Sequence, residues 1–243
     1  MLGSLFRSKK KSAPPAITTD LHSHLLPGID DGVQTMDEAL EVIKGFKNLG
    51  YQRLITTPHI MHDYYRNTPD IIQNKLAAVK QALAEAGIEI ELQAAAEYYL
   101  DEYFLELIGR DKPLLTFGDK YVLFELPFLS KPMILQEVVF ALQTKGYRPV
   151  LAHAERYLYF SKDTGPLYDL HHAGVVFQLN LLSPAGFYGK EVKKQADKLL
   201  KAGLIGMVGS DCHNSRHLMA LGEFWHTAAA ATLAGQTFLN DTL

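Results

Sequence analysis

Cysteine is nearly absent: Cys212 is the only one in 243 residues, which excludes an internal disulfide framework and fits a reducing compartment. No apolar run approaches the roughly 20 residues that a membrane-spanning helix needs. The start, MLGSLFRSKKKSAPP, lacks the apolar stretch of a signal peptide. An excess of one charge is also missing. With a net charge of −3, the chain offers no general surface for nucleic acid. No glycine-rich phosphate loop follows the first strand-like stretch, which weakens the case for an open nucleotide-binding sheet. Nor is there an arginine six residues after Cys212, where a cysteine-based phosphatase needs one; Leu218 stands there.

What remains is ordinary for a globular protein, 47% hydrophobic and 21% charged. Arg7, Lys9, Lys10 and Lys11 precede Pro14–Pro15. Residues 1–16 therefore read as a flexible basic arm, able at most to touch an anionic surface or a partner, and residues 17–243 as one domain. Strand-like and helix-like stretches then alternate. AITTDLHS, YQRLITT, IEIELQAAAE, YVLFEL, RPVLAHA, VVFQLN and LIGMVGSD read as seven strands. TMDEALEVIKGFKNLG reads as a helix, with Thr35 and Glu38 at capping-box spacing and Gly50 at its stop. TPDIIQNKLAAVKQALAEAG is a second helix, capped by Thr68 with Pro69 in its first turn. Further helices are expected near 102–108, in MILQEVVFALQTKG, GPLYDLHHAG and GKEVKKQADKLLKAG, and from about Leu218 onward. Seven βα units with short loops predict an α/β fold, an incomplete parallel (β/α) barrel of seven strands, with an open doubly wound sheet as the alternative.

The polar residues are not scattered over this pattern. Strand one ends in His22 and His24, strand two in His59, strand three in Glu97, strand four in Glu125, strand five in His153 and strand seven in Asp211 and His213. In a parallel barrel these ends share one face, where active sites are built. Taken singly, each has a plain reading as a loop acid or a satisfied core histidine. Concentrated at one end, and with Asp31 nearby, they point to a metal centre. Five histidines and four acids are too many for one ion, and imidazole with carboxylate suits Mn, Fe, Zn or Co. Two or three divalent ions with Arg156 and Arg216 close by make an electropositive site, suited to a phosphate ester.

The stretches DLHSHLLPGIDDG, TTPH, AAAEYY, LFELP, LAHAERY and GSDCHNSR, in this order and spacing, resemble the polymerase-and-histidinol-phosphatase superfamily. More narrowly they resemble the bacterial manganese-dependent tyrosine phosphatases of capsule and exopolysaccharide operons, from about Thr18 to the C-terminus. The resemblance implies a trinuclear site. One ion would be held by His22, His24, Glu97 and Asp211, a second by Asp31, His59 and His213, and a third by Glu97, Glu125 and His153, with Glu97 bridging. It also implies that Arg156 and Arg216 bind phosphate, although the segment from His213 to Arg216 is shorter than the family pattern and Lys131 is an alternative there. Asp30 reads as a turn residue beside Asp31.

The expected activity is hydrolysis of phosphotyrosine in the cytoplasm, through a hydroxide bridging the metals. The expected partner is a tyrosine kinase of polysaccharide export. Tyr64, Tyr65, Tyr98, Tyr99 and Phe128 are candidates to flank the substrate ring, and His62 is a weak candidate proton donor. The alternatives are a small-molecule phosphatase of the histidinol-phosphate type, a phosphodiesterase, or a non-catalytic module that docks a kinase through the basic arm.

Overall fold

A strand can pair parallel with the next only if the chain crosses back between them, and helices do so here. The computed structural model describes residues 16–243, so all but the last residue of the basic arm lies outside the described residues. The chain runs β1 (Thr19–Asp20), α1 (Met36–Leu49), β2 (Arg53–Thr56), β3 (His59–Ile60), α2 (Pro69–Glu85), β4 (Glu91–Ala94), β5 (Glu97–Tyr99) and α3 (Glu102–Gly109). It continues with β6 (Tyr121–Glu125), α4 (Leu135–Thr144), β7 (Arg148–Leu151), α5 (Gly165–His172), β8 (Val176–Asn180), α6 (Lys190–Lys201), β9 (Ile205–Gly209), α7 (Ser215–Phe224) and α8 (Ala228–Ala234). Every pairing between these strands is parallel.

Two expected strands are each broken in two. The second breaks at Thr57–Pro58, where proline has no N–H to give a ladder, and the third at Ala95–Ala96. Their first halves form the sheet β1-β2-β4, and their second halves begin the sheet β3-β5-β6-β7-β8-β9. Across the break, Ala95 N–H donates to Thr56 C=O at 2.9 Å and Glu97 N–H to Pro58 C=O at 3.1 Å. At the other edge a single bridge, Ser23 with Cys212, stands in place of a ladder. There Asp211 N–H reaches His22 C=O at 2.8 Å and His24 N–H reaches Cys212 C=O at 2.9 Å. Seven strand positions in chain order therefore make a ring, the distorted barrel that the alternation predicts.

Local sequence explains the helices. Thr35 and Glu38 form the full capping box, and Gly50 ends α1 at φ 104°, a left-handed conformation that glycine adopts without strain. Thr68 caps α2 through the Ile71 N–H. The C-terminal helix starts at Ser215, earlier than expected, because Asn214 accepts from the Arg216 and His217 N–H groups, and it is split from α8. No helix among the described residues is long and apolar enough to cross a membrane.

One core lies between strands and helices. A second fills the barrel with Leu21, Ile55, Ala95, Leu123, Val150 and Met207 among others. Side chains alternate along a strand, so the inward track of Ala95 continues to Glu97, that of Tyr121 and Leu123 to Glu125, and that of Met207 to Asp211. The residues that plug the barrel thus hand over to acids at its carboxyl end.

Candidate metal centre

That end is a cavity of about 750 Å³ whose wall includes Asp31, His59, Glu97, Glu125, His153, Arg156, Asp211 and His213. His22 and His24 lie beneath it, fully buried. Two glycines make the floor possible. A Cβ on Gly209 would stand 2.6 Å from His22 Cβ, and one on Gly32 would stand 2.2 Å from His24 O. The last glycine of LLPGIDDG is therefore what lets that loop fold back so that Asp31 returns to the histidines. His153 and Asp211 take the left-handed region at φ 33° and 52°, uncommon for residues with a Cβ. At His153 this interrupts the alternation after Ala152 and starts the single helical turn that carries Arg156.

The donors stand where ligands of shared ions would stand. Two atoms bound to one ion at about 2.1 Å are about 3.0–3.5 Å apart. His22 Nε2 is 3.1 Å from Glu97 Oε2 and 3.4 Å from Asp211 Oδ1, and His24 Nε2 is 3.5 and 3.6 Å from the same two atoms. Asp31 Oδ1 is 3.4 Å from His59 Nε2 and 3.5 Å from His213 Nε2. His153 Nε2 is 3.1 Å from Glu97 Oε1. His59 Nδ1 is buried with no hydrogen-bond partner, yet lies 3.3 Å from Glu97 Oε2 and 3.2 Å from Glu125 Oε1. An orphaned nitrogen between two carboxylates is what a shared cation would resolve.

Four groups of donor atoms within 4.8 Å of one another emerge: His24, Asp31, His59 and His213; His22, His24 and Asp211; His22, Glu97 and His153; His59, Glu97 and Glu125. All nine residues singled out in the sequence converge. Their grouping is more shared than the resemblance implies. His24 also joins the Asp31 group, and His59 stands nearer to Glu125 than His153 does, at 3.2 against 3.9 Å.

Electrostatics points the same way. Burial opposes the charge on His22, but Glu97 and Asp211 outweigh it and lift its pKa to about 9. Burial likewise opposes charge on His24, and Asp30 and Asp211 raise its pKa. Asp31, despite some burial, is drawn down to about 2 by His213 and His59. Glu97 and Asp211, like Asp31, are held below the usual carboxylate range by the surrounding imidazoles although burial opposes it.

Behind the donors lies a hydrogen-bond layer. Asp30 is held low by His24 against the effect of burial, so His24 Nδ1 donates to its Oδ2 at 2.7 Å, which turns Nε2 toward the cavity donors. Gln178 Oε1 accepts the His153 N–H at 2.8 Å, which fixes its amide, so it also accepts from His22 Nδ1 at 3.0 Å. Gln178 Nε2 donates to Asn180 Oδ1 at 3.0 Å, and Asn180 Nδ2 to Asp211 Oδ2 at 2.7 Å. Sequence reasoning missed Gln178 and Asn180. The sixth strand, VVFQLN, bears no metal-type residue, and its amides were the only signal. Buried Glu155 was missed too; it accepts from Asn180 N–H at 3.0 Å and from Ser183 Oγ at 2.6 Å.

Arg156 lies against this layer. Its Nη1 is 3.2 Å from Asp211 Oδ2, and its guanidinium sits over the rings of Phe128 at 4.7 Å and Tyr188 at 4.9 Å. Arg216 does not join it. The residue is exposed in the first turn of α7 and is not on the cavity wall, where His217 stands instead. Lys131 is likewise exposed and off the wall. Tyr64, Tyr65, Tyr99 and Phe128 line the cavity, whereas Tyr98 is buried and turns away, its hydroxyl accepting the Leu115 N–H at 2.8 Å. Tyr188 is a wall residue the sequence did not single out. His62 is exposed, packs on Tyr103 and does not line the cavity. Cys212 is 1% exposed and burial pushes its thiol pKa up, the reverse of a nucleophile.

Known proteins share this fold. A solved chain from the crystal structures of YwqE from Bacillus subtilis and CpsB from Streptococcus pneumoniae, described as unique metal-dependent tyrosine phosphatases, superposes with a TM-score of 0.75 at 28% identity, over 90% of this chain and 96% of that one. The lactonase Lmo2620 from Listeria monocytogenes, at 11% identity and a TM-score of 0.51 over 91% of this chain and 85% of that one, shares the fold alone. In sequence, the tyrosine-protein phosphatase YwqE of Bacillus subtilis is 32% identical over 197 residues, 80% of this chain and 77% of that protein. The putative tyrosine-protein phosphatase CapC of Staphylococcus aureus is 27% identical over 195 residues, 80% of this chain and 76% of that protein. The family model for capsular polysaccharide synthesis, CpsB/CapC, matches residues 18–220, a span that begins just before the first strand and holds every donor of the cavity, and the chain belongs to that family.

Proposed function

We propose that this chain is a metal-dependent phosphatase that hydrolyses phosphotyrosine on a protein. The observation that carries the reading is the ring of nine imidazole and carboxylate side chains around one cavity, with Arg156 and aromatic rings on its wall. Three divalent ions, manganese first, suit the donor set. His22, His24, Glu97 and Asp211 would hold one, Asp31, His59 and His213 another, and Glu97, Glu125 and His153 a third. Such ions supply a nucleophile by acidifying water and spread the charge of the transferring phosphoryl group.

The chain's own residues do the rest. Arg156 would offer its guanidinium to the phosphate oxygens, steadied by contacts with the Phe128 and Tyr188 rings. Tyr64, Tyr65 and Tyr99 line the cavity and would flank the substrate ring. Tyrosinate, whose acid has a pKa of about 10, leaves without a strong proton donor. Gln178 and Asp30 keep the Nε2 atoms of His22 and His24 aimed into the cavity. The substrate we favour is a tyrosine kinase of polysaccharide export, in keeping with the capsule-synthesis family. The single cysteine, free and buried, favours the cytoplasm.

Turnover of a phosphotyrosine peptide, histidinol phosphate and a phosphodiester in one assay tests the reading. The peptide is expected to be the best substrate, and equal or faster turnover of either rival overturns it. Arg156→Ala is expected to lower kcat/KM roughly ten- to a hundredfold, the worth of charge-assisted hydrogen bonds of about 1.5–3 kcal/mol, with metal content unchanged. Arg216→Ala should lose much less. Equal losses would return Arg216 to the phosphate clamp. Gln178→Leu is expected to weaken metal affinity about 10–100-fold, read by titrating metal into stripped protein, because His22 loses the partner that fixes its tautomer.

A further inference from the structure

One charged surface is not used by the chemistry above. Lys190, Lys193, Lys194, Lys198 and Lys201 are all exposed on α6. At 3.6 residues per turn they share an arc of about 140° and a length of about 17 Å, interrupted only by half-buried Asp197. Among the described residues the ion pairs of basic side chains other than histidine all use arginine, and none of these lysines takes part in one. Lys190 with Lys194, and Lys194 with Lys198, are like charges one turn apart, which weakens a helix. In a chain of net charge −3 this concentration is not a consequence of composition.

The stripe begins two residues along the chain from the cavity wall. Tyr188, which lines the cavity and faces Arg156 at 4.9 Å, is two residues before Lys190. The Lys193 stem packs on the turn that leads into Tyr188, 3.6 Å from where a Cβ of Gly186 would stand. We propose that this stripe binds an acidic segment of the substrate polypeptide, next in sequence to its phosphotyrosine. This rests on the phosphatase reading and adds a substrate preference to it.

Extended chain rises about 3.3 Å per residue, so 17 Å takes about five residues. Lysine is a hydrated point charge without a fork, suited to a run of carboxylates rather than to one oriented phosphate. A membrane surface is the weaker fit. A helix that lies on lipid inserts its apolar face, and in α6 that face (Val192, Ala196, Leu199) is buried in the core.

The test compares a phosphotyrosine peptide flanked by five Asp and Glu residues with the same peptide carrying Asn and Gln. Each is measured with wild type and with Lys193→Glu/Lys194→Glu/Lys198→Glu. The triple variant should raise KM for the acidic peptide roughly tenfold with kcat unchanged, and leave the neutral peptide and free phosphotyrosine as they were. The wild-type preference should fade by about 0.5 M salt. An unmoved KM overturns the proposal. Binding of the labelled acidic peptide by fluorescence anisotropy, run alongside, decides the matter even if no substrate is turned over, the outcome in which the phosphatase reading itself fails. Vesicles of phosphatidylglycerol and phosphatidylcholine complete the set. If the variant loses vesicle binding while peptide binding stays, the stripe is a lipid surface and the proposal falls.

Discussion

Strong chelation is expected to abolish phosphotyrosine hydrolysis, and added Mn to restore it better than Mg. Five of the nine donors are imidazoles, and Mg takes oxygen ligands and keeps its waters, whereas Mn accepts nitrogen. Full activity in protein shown by elemental analysis to be metal-free would sink the mechanism. Loading should also depend on pH in a fixed direction. With its pKa raised to about 9, His22 is protonated at neutrality in the metal-free chain and must lose that proton to ligate. Apparent affinity therefore rises with pH up to about 9, and metal binding releases protons, measurable by calorimetry in buffers of different ionisation enthalpy. Without metal the same shift favours folding below pH 6.5, and that contribution is lost as pH rises through about 9. The thermal midpoint of stripped protein should fall over that window, and a midpoint that rises there contradicts the assignment.

Glu97→Gln is expected to remove more than one equivalent of metal and to cost at least about a hundredfold in rate. Glu97 is 0% exposed, and its two oxygens reach four imidazoles: His153 from Oε1 at 3.1 Å, and His22, His59 and His24 from Oε2 at 3.1, 3.3 and 3.5 Å. An amide keeps the shape but gives one acceptor and one donor, so an N–H would face a ring lone pair where a shared anion stood. Elemental analysis with a circular dichroism control separates this from misfolding. Full occupancy with an unchanged rate means that Glu97 does not bridge.

Much of this protein is decided locally. Strand and helix alternate because apolar periodicity and caps such as Thr35 with Glu38 are properties of a few neighbouring residues. A parallel barrel follows from that alternation, and the common face of the strand ends follows from the barrel. His59, Glu97, Glu125, His153 and Asp211 could therefore be gathered by reading strand ends alone.

Contacts across the chain decided the rest. Whether strands one and seven meet depends on Gly209 packing against His22 and on the Ser23–Cys212 bridge, contacts between residues nearly 190 positions apart. The division of donors into groups was not legible, because each side chain's aim is set by its neighbours in the ring. Gln178 and Asn180 look like ordinary strand amides until their partners are in place. Arg156 and Arg216 look alike in sequence, as basic residues three positions after a site histidine. One is turned inward by the left-handed His153 and the short turn that follows, and the other is carried outward by the first turn of α7. Side-chain chemistry is written residue by residue, but its direction comes from backbone geometry and packing that only the closed ring fixes.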